Sequence, residues 1–254
     1  MPITEYYDDY DENYFWDIVE NGITIKTSGS SGIPKSIYQS PDKIFEDYER
    51  CIKIQDIDNF SDIYTCLDLK KAGGLFAQTI PALLEMADVT LAKFNPYEYV
   101  RRVESFTHSH LTPKQAKAVL RTKGFKKLNL IGHTFLVGSE PVTYDIITAF
   151  VATGAKVILI WGMTEIGPNA IMHIFNNMDE VRALEAITPP NSTPLGNIIT
   201  CEVSIINNEL HVRGDQCVYD DWFNTKDTVI EKDGHLFYTG RSDTTVDFNN
   251  PSKG

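Results

Sequence analysis

Thiols, positive charge and long apolar runs are all scarce in this sequence. Its four cysteines, Cys51, Cys66, Cys201 and Cys217, lie far apart with no CxxC spacing. Neither a zinc site nor a disulfide framework is expected from them, and a reducing cytoplasm fits best. Only 23 Lys and Arg stand against 35 Asp and Glu, a formal net charge of −12. That balance argues against wrapping a nucleic acid or binding an anionic membrane. No stretch is apolar for long enough to span a bilayer. The opening "MPITEYYDDYDENYFWD" is acidic and fits neither a secretory nor a transit peptide. Internal repeats and low-complexity segments are absent too. What is present is a 254-residue chain whose hydrophobic fraction of 42% supplies a core.

The pattern of that apolar content is a strand–helix alternation. Residues 5–19 mix acids with aromatics, and Tyr7, Tyr10, Tyr14 and Ile18 recur at helical spacing, which predicts an amphipathic helix. From Ile23 the rhythm is regular. "SIYQS", "DIYTCLDL", "DVTLAKF", "THSHL", "NLIGHTFLVG" and "AKVILIWG" read as strands. Between them, helices are opened by Ser40-Pro41, Asn95-Pro96 and Thr112-Pro113, and "GGLFAQTIPALLEMA" and "PVTYDIITAFVATG" are apolar helices. Such alternation predicts a largely parallel sheet covered by helices. After about Ser192 the character changes. "CEVSIINNELHVRG" and "DTVIEKDGHLFYTGR" predict hairpins turning at Asn207-Asn208 and Asp233-Gly234. The expected organisation is an acidic helix over 1–22, an α/β body over 23–192 and a short antiparallel β region over 193–254.

Three segments carry chemistry. "ITIKTSGSSGIPKSI" runs a strand into a loop of Thr, Ser and Gly closed by Pro-Lys. It is either a flexible surface turn or an anion cradle of exposed backbone N–H groups, hydroxyls and one lysine. Gly29 and Gly32 are three apart and the lysine follows a proline, so it is not the common phosphate-binding P-loop. "WGMTEIG" follows the apolar strand "KVILI", and "WFNTKDTVIEKDGHLFYTGRSD" spans the last hairpin.

In this order the three segments resemble the nucleotide-binding signatures of the adenylate-forming (AMP-binding) enzymes: acyl- and aryl-CoA synthetases, peptide-synthetase adenylation domains and luciferases. "TFLVGSEPVTYDIITAF" resembles the family's GGEP segment, with Ser139 where a second glycine is common. The resemblance covers about residues 22–247. It implies ATP-dependent conversion of a carboxylic acid to acyl-AMP with release of pyrophosphate, using Mg²⁺. Thr27, Ser28, Gly29, Ser30, Ser31 and Gly32 would then fold over the β- and γ-phosphates beside Lys35. Gly138, Ser139, Glu140, Gly162 and Met163 would line the nucleotide site. Trp161 would stack on adenine, Thr164 would donate to the α-phosphate, and Glu165 would hold Mg²⁺. Asp227, in "NTKD", would take the ribose hydroxyls, with Arg241 at the ribose or phosphate edge.

The residues keep plainer readings beside these. Trp161 is otherwise a core aromatic, Glu165 and Asp227 turn acids, and Arg241 one half of a surface ion pair. Lys226 stands where the family has glycine. For the acid pocket the family often has a histidine before the "GLF" helix. Here that place holds Lys70-Lys71-Ala72 ahead of Gly73, and Lys71, His108 and His110 are the candidates for its lining. The family's C-terminal lid, with its catalytic lysine, has no counterpart after "GRSD". The resemblance therefore leaves three readings: a minimal adenylating enzyme, one half of a split ligase completed by a separate lid or carrier protein, and a nucleotide sensor.

Overall fold

The structure is a computed structural model that describes residues 3–5, 10–27 and 35–243. Strands appear where the sequence is β-branched and apolar. They are β1 (Ile3–Glu5), β2 (Ile23–Thr27), β3 (Lys35–Gln39), β4 (Asp62–Thr65), β5 (Asp88–Leu91), β6 (His108–Leu111), β7 (Thr134–Gly138) and β8 (Lys156–Met163). They continue with β9 (Gly167–Phe175), β10 (Thr193–Gly196), β11 (Ile198–Ile199), β12 (Glu202–Ile206), β13 (Glu209–Arg213), β14 (Phe223–Lys232) and β15 (His235–Arg241).

One eight-stranded sheet has the order β1-β5-β4-β6-β7-β8-β9-β11. Its pairs are parallel from β1 through β8 and antiparallel from β8 onward. The parallel strands are apolar on both faces, as a sheet covered by helices requires. On β7, Phe135 and Val137 enter the cluster holding Phe150 and Val119, while Leu136 faces the other way against Ala77. A five-stranded antiparallel sheet, β10-β15-β14-β13-β12, follows. Its Leu210, Val212 and Val229 pack with Ile166 and Ile171 at the end of the first sheet. The expected fold class is therefore the observed one.

Local chemistry sets the helix starts. Helix α1 (Glu12–Asn21) is capped by Asp11, and α2 (Pro41–Gln55) by Ser40 with Pro41 in its first turn. Helix Pro113–Leu120 has a full capping box between Thr112 and Gln115. Both predicted turns carry left-handed residues, Asn207 (φ 52°) and Asn208 (φ 64°), and Asp233 (φ 51°) and Gly234 (φ 75°).

Three stretches differ from expectation. The N-terminal segment is a short strand pairing with β5 before the helix begins at Glu12; Tyr7 lies outside the described residues. The apolar helix expected from Gly73 to Ala87 covers 72–84 instead, broken into helical pieces around a π turn, Leu75–Thr79. Strand β9 extends the sheet and helix Met178–Ile187 follows it, in a stretch where no element was expected. Among the described residues, no helix is long and apolar enough to cross a membrane.

Candidate nucleotide site

The carboxyl ends of β7 and β8 open onto a cleft of about 820 Å³, closed on another side by the β14–β15 hairpin. Parallel α/β sheets bind ligands at such strand ends because loops and helix starts converge there. Trp161, Gly162, Met163, Thr164 and Glu165 come from the end of β8 and the turn after it. Ser139 and Glu140 come from the end of β7, Thr27 and Lys35 from the β2–β3 hairpin, and Asp227 and Arg241 from β14 and β15. The sequence-predicted nucleotide residues that are described thus meet in one place. Gly138 stands just behind the lining. Ser28, Gly29, Ser30, Ser31 and Gly32 lie outside the described residues; Thr27 and Lys35 are paired in register across the hairpin that holds them.

The glycines here are dictated by close approach. A Cβ on Gly138 would sit 2.3 Å from the Ile160 carbonyl oxygen, and one on Gly162 would sit 1.9 Å from the Gly167 carbonyl oxygen. No side chain tolerates that distance.

One network organises the polar wall. The Trp161 indole N–H donates to Asp227 Oδ2 at 2.8 Å, and Arg241 donates to Asp227 Oδ1 at 2.7 Å. Arg241 also forks onto Asp243 through two bonds of 2.9 Å. Asp227 and Arg241 are cross-strand partners in register, which is how the hairpin brings them together. Burial pushes the Asp227 carboxyl up, while the Trp161 N–H and the Arg241 charge pull it back toward the ionised form. Lys226 takes φ 64° and donates its backbone N–H to Asn224 at 2.9 Å. Trp161 is half-buried: it packs with the Ile166 cluster and also lines the cleft.

The turn with Thr164 and Glu165 is gripped from behind. The Gln39 side-chain amide donates to the Thr164 carbonyl, and the Val218 N–H donates to the Glu165 carbonyl at 2.9 Å. Glu165 is buried but lines the cleft.

The acid-pocket candidates lie elsewhere. Lys71 is exposed and Gly73 half-buried at the start of the 72–84 segment. Both ring nitrogens of His108 are occupied, Nε2 with the Gln55 carbonyl at 2.9 Å and Nδ1 with the Thr107 hydroxyl at 2.8 Å. His110 is buried on the same sheet face and lines no part of the cleft. Sequence reasoning missed Tyr238, Phe223 and Asp243 as cleft residues. Asp243 was within reach: it closes the "TGRSD" stretch that supplied Arg241.

The AMP-binding enzyme family matches residues 24–217. The chain belongs to the AMP-binding enzyme family. The described residues of the three segments singled out in the sequence contribute to the cleft lining. Solved structures share the fold. E. coli MenE with bound OSB-AMS, in a variant form, superposes with a TM-score of 0.69 at 18% identity, over 87% of this chain and 48% of that one. ATP-bound MatB from Rhodopseudomonas palustris gives 0.70 at 17% identity, over 86% and 47%. McyG A-PCP with phenylalanyl-adenylate gives 0.73 at 17% identity, over 86% and 46%. The chain thus spans about half the length of these structures. No curated protein sequence matches it.

Proposed function

We propose that the chain binds ATP in this cleft and activates a carboxylic acid as acyl-AMP, releasing pyrophosphate. The observation that carries the reading is the Trp161–Asp227–Arg241 network in a cleft that also holds Thr164, Glu165 and Lys35. Adenine would lie on the Trp161 ring. The ribose hydroxyls would donate to Asp227, whose oxygens each keep accepting capacity beyond the bonds they already make. Bound ATP in MatB and phenylalanyl-adenylate in McyG, both on this fold, support the placement.

Charge decides what else is needed. The lining has Lys35, Lys226 and Arg241 against Glu140, Glu165, Asp227 and Asp243. A triphosphate entering so acidic a cleft needs further positive charge. Glu165 fits a magnesium site of the kind that takes most ligands from phosphate and water. Among the described residues no cluster of three or more His, Cys, Asp or Glu offers a dedicated metal cage. Bound there, magnesium would neutralise phosphate charge and polarise the α-phosphorus.

In the reaction, a carboxylate oxygen attacks the α-phosphorus and the bond to the bridging oxygen of pyrophosphate breaks. The Thr164 hydroxyl donates to the α-phosphate oxygen that gains charge, and Lys35 meets the leaving pyrophosphate. The turn needs no protein nucleophile; it needs position, which Gln39 and Val218 supply by fixing the backbone around Thr164 and Glu165.

The test is ATP–pyrophosphate exchange screened over a carboxylic-acid panel with the protein alone. Exchange with at least one acid supports the reading. Because the chain spans about half of the compared structures, a second reading is that a partner chain supplies a lid. Exchange that appears only after a lid-bearing protein is added selects that reading. Tight ATP binding with no exchange under either condition makes the chain a nucleotide sensor.

A further inference from the structure

His110 is 1% exposed, and neither of its ring nitrogens has a hydrogen-bond partner among the described residues. Beside it in register on β4, the hydroxyl of buried Thr65 is also unpartnered. The two are neighbours on one sheet face near the carboxyl ends of parallel strands. On the other side His110 is flanked in register by Leu136, over which the π turn lays Ala77. The next residue of that turn, Gln78, donates to Gln55 at 3.0 Å and leaves its own carbonyl oxygen unpartnered.

Leaving a buried polar group unpaired costs about 1–3 kcal/mol. Native folds keep few such groups, and each calls for a partner. Here His110 and Thr65 are neighbours in register, and Gln78 lies in a π turn, a backbone irregularity that recurs at functional sites. Ile160 lines the cleft and belongs to one apolar cluster with Ala77 and Leu136, which links the cleft wall to the residue beside His110.

We propose that His110 and Thr65 form the far end of the acyl pocket and select carboxylic acids whose tail ends in a neutral hydrogen-bonding group, a hydroxyl or primary amide. This rests on the acid-activating reading above. The chemistry of these two side chains sets the choice. Burial pushes the His110 imidazole down to about 3, so at neutral pH it offers one donor and one acceptor. Thr65 offers one of each as well. A hydroxyl or carboxamide, itself both donor and acceptor, satisfies these atoms together. A purely apolar tail leaves them unpaired. An ionised tail is disfavoured, because both side chains are buried and neutral and burying a charge beside them is costly.

The experiment is titration calorimetry on the purified chain with AMP present. Straight-chain carboxylic acids are compared with their ω-hydroxy, ω-carboxamide and ω-carboxylate counterparts, in the wild type, His110→Phe and Thr65→Val. At the best-fitting chain length, the hydroxy or amide acid is expected to bind about tenfold tighter than the plain acid, the worth of one net hydrogen bond. The ω-carboxylate binds weakest, and the preference falls to parity in both variants. Should His110→Phe not fold, Thr65→Val and the imidazole ¹⁵N resonance of His110 carry the test: the hydroxy acid shifts that resonance and the plain acid does not. Plain acids binding tightest, a preference that survives both replacements, or no acid binding at all overturns the proposal. A preference without any adenylate formed keeps the His110–Thr65 assignment and removes the enzyme reading. Adenylate formed without a preference does the reverse.

Discussion

Ser139 and Lys226 hold backbone angles that most side chains avoid, φ 71° and 64°. They stand at the two places where the family has glycine, and the angles give the reason: the turns need left-handed residues, and glycine takes that conformation at no steric cost. Ser139→Gly and Lys226→Gly are therefore expected to leave stability unchanged or raise it by about 1 kcal/mol. Gly138→Ala and Gly162→Ala are expected to destabilise by more than 2 kcal/mol on the order-of-magnitude scale of overpacked sites, because their new methyl groups meet carbonyl oxygens at 2.3 and 1.9 Å. Urea denaturation of the four variants separates the pairs, and equal losses in all four contradict the backbone argument. Trp161 is tested at the same scale. Trp161→Phe keeps an aromatic face but removes the N–H that holds Asp227, so AMP affinity should fall by about the 0.5–1.5 kcal/mol of one net hydrogen bond. Trp161→Ala removes the platform too and should cost a further 1–3 kcal/mol, taking the scale of base–aromatic stacking. If both variants bind AMP as the wild type does, Trp161 is a core residue only.

At the scale of elements, β3 holds the turn bearing Thr164 and Glu165, and α2 braces the chain around it. Gln39 bonds the Thr164 carbonyl, Lys43 bonds the Asp215 carbonyl, and Asp47 packs against Gly167 and accepts from Asn169 at 3.4 Å. Burial pushes the Asp47 carboxyl up from 3.8 to about 7. The fold then keeps a proton on Asp47 between those values while the unfolded chain has released it. Its contribution is full below pH 3.8 and is lost as pH rises through about 7, on the order of 1.4 kcal/mol per pH unit. Asp47→Asn should match the wild type in acid and melt higher above neutral pH; parallel melting curves across that range contradict the assignment. This gripping role was not legible in the sequence. The caps at Ser40, Asn95 and Thr112 and the Asn207 and Asp233 turns were legible, because single residues with local mechanisms specify them. The π turn in 72–84 was not, since nothing in "LFAQT" departs from helical periodicity. Nor was β9, whose "GPNAIMHIF" begins with turn residues and makes its meaning through β8 and β11, far off in sequence.

Across the whole molecule, buried histidines set the response to acid. Burial pushes His110 down to about 3 and His133 down to about 4, and lowers His108 and His173 as well. The unfolded chain takes up these protons below pH 6.5 and the fold refuses them until near those values. Stability contributed by the histidines is thus present above pH 6.5 and lost on acidification toward about 4. His110 and His133 together outweigh the opposing gain from Asp47, so urea midpoints should fall steadily below pH 6.5; a midpoint that rises over that window contradicts this balance. The three signature segments were readable in the sequence, and their convergence could be expected from the strand–helix rhythm. The internal bonding of the site could not, because Trp161, Asp227 and Arg241 are joined only once β8 meets the β14–β15 hairpin. The central claim is that this assembled cleft performs acid activation. It is tested most directly by mass spectrometry of single-turnover mixtures of the protein, ATP, Mg²⁺ and a carboxylic-acid panel. The account predicts an acyl-AMP from the wild-type chain and none from Glu165→Ala. Tightly bound ATP with no adenylate from any acid, or an adenylate undiminished in Glu165→Ala, contradicts it.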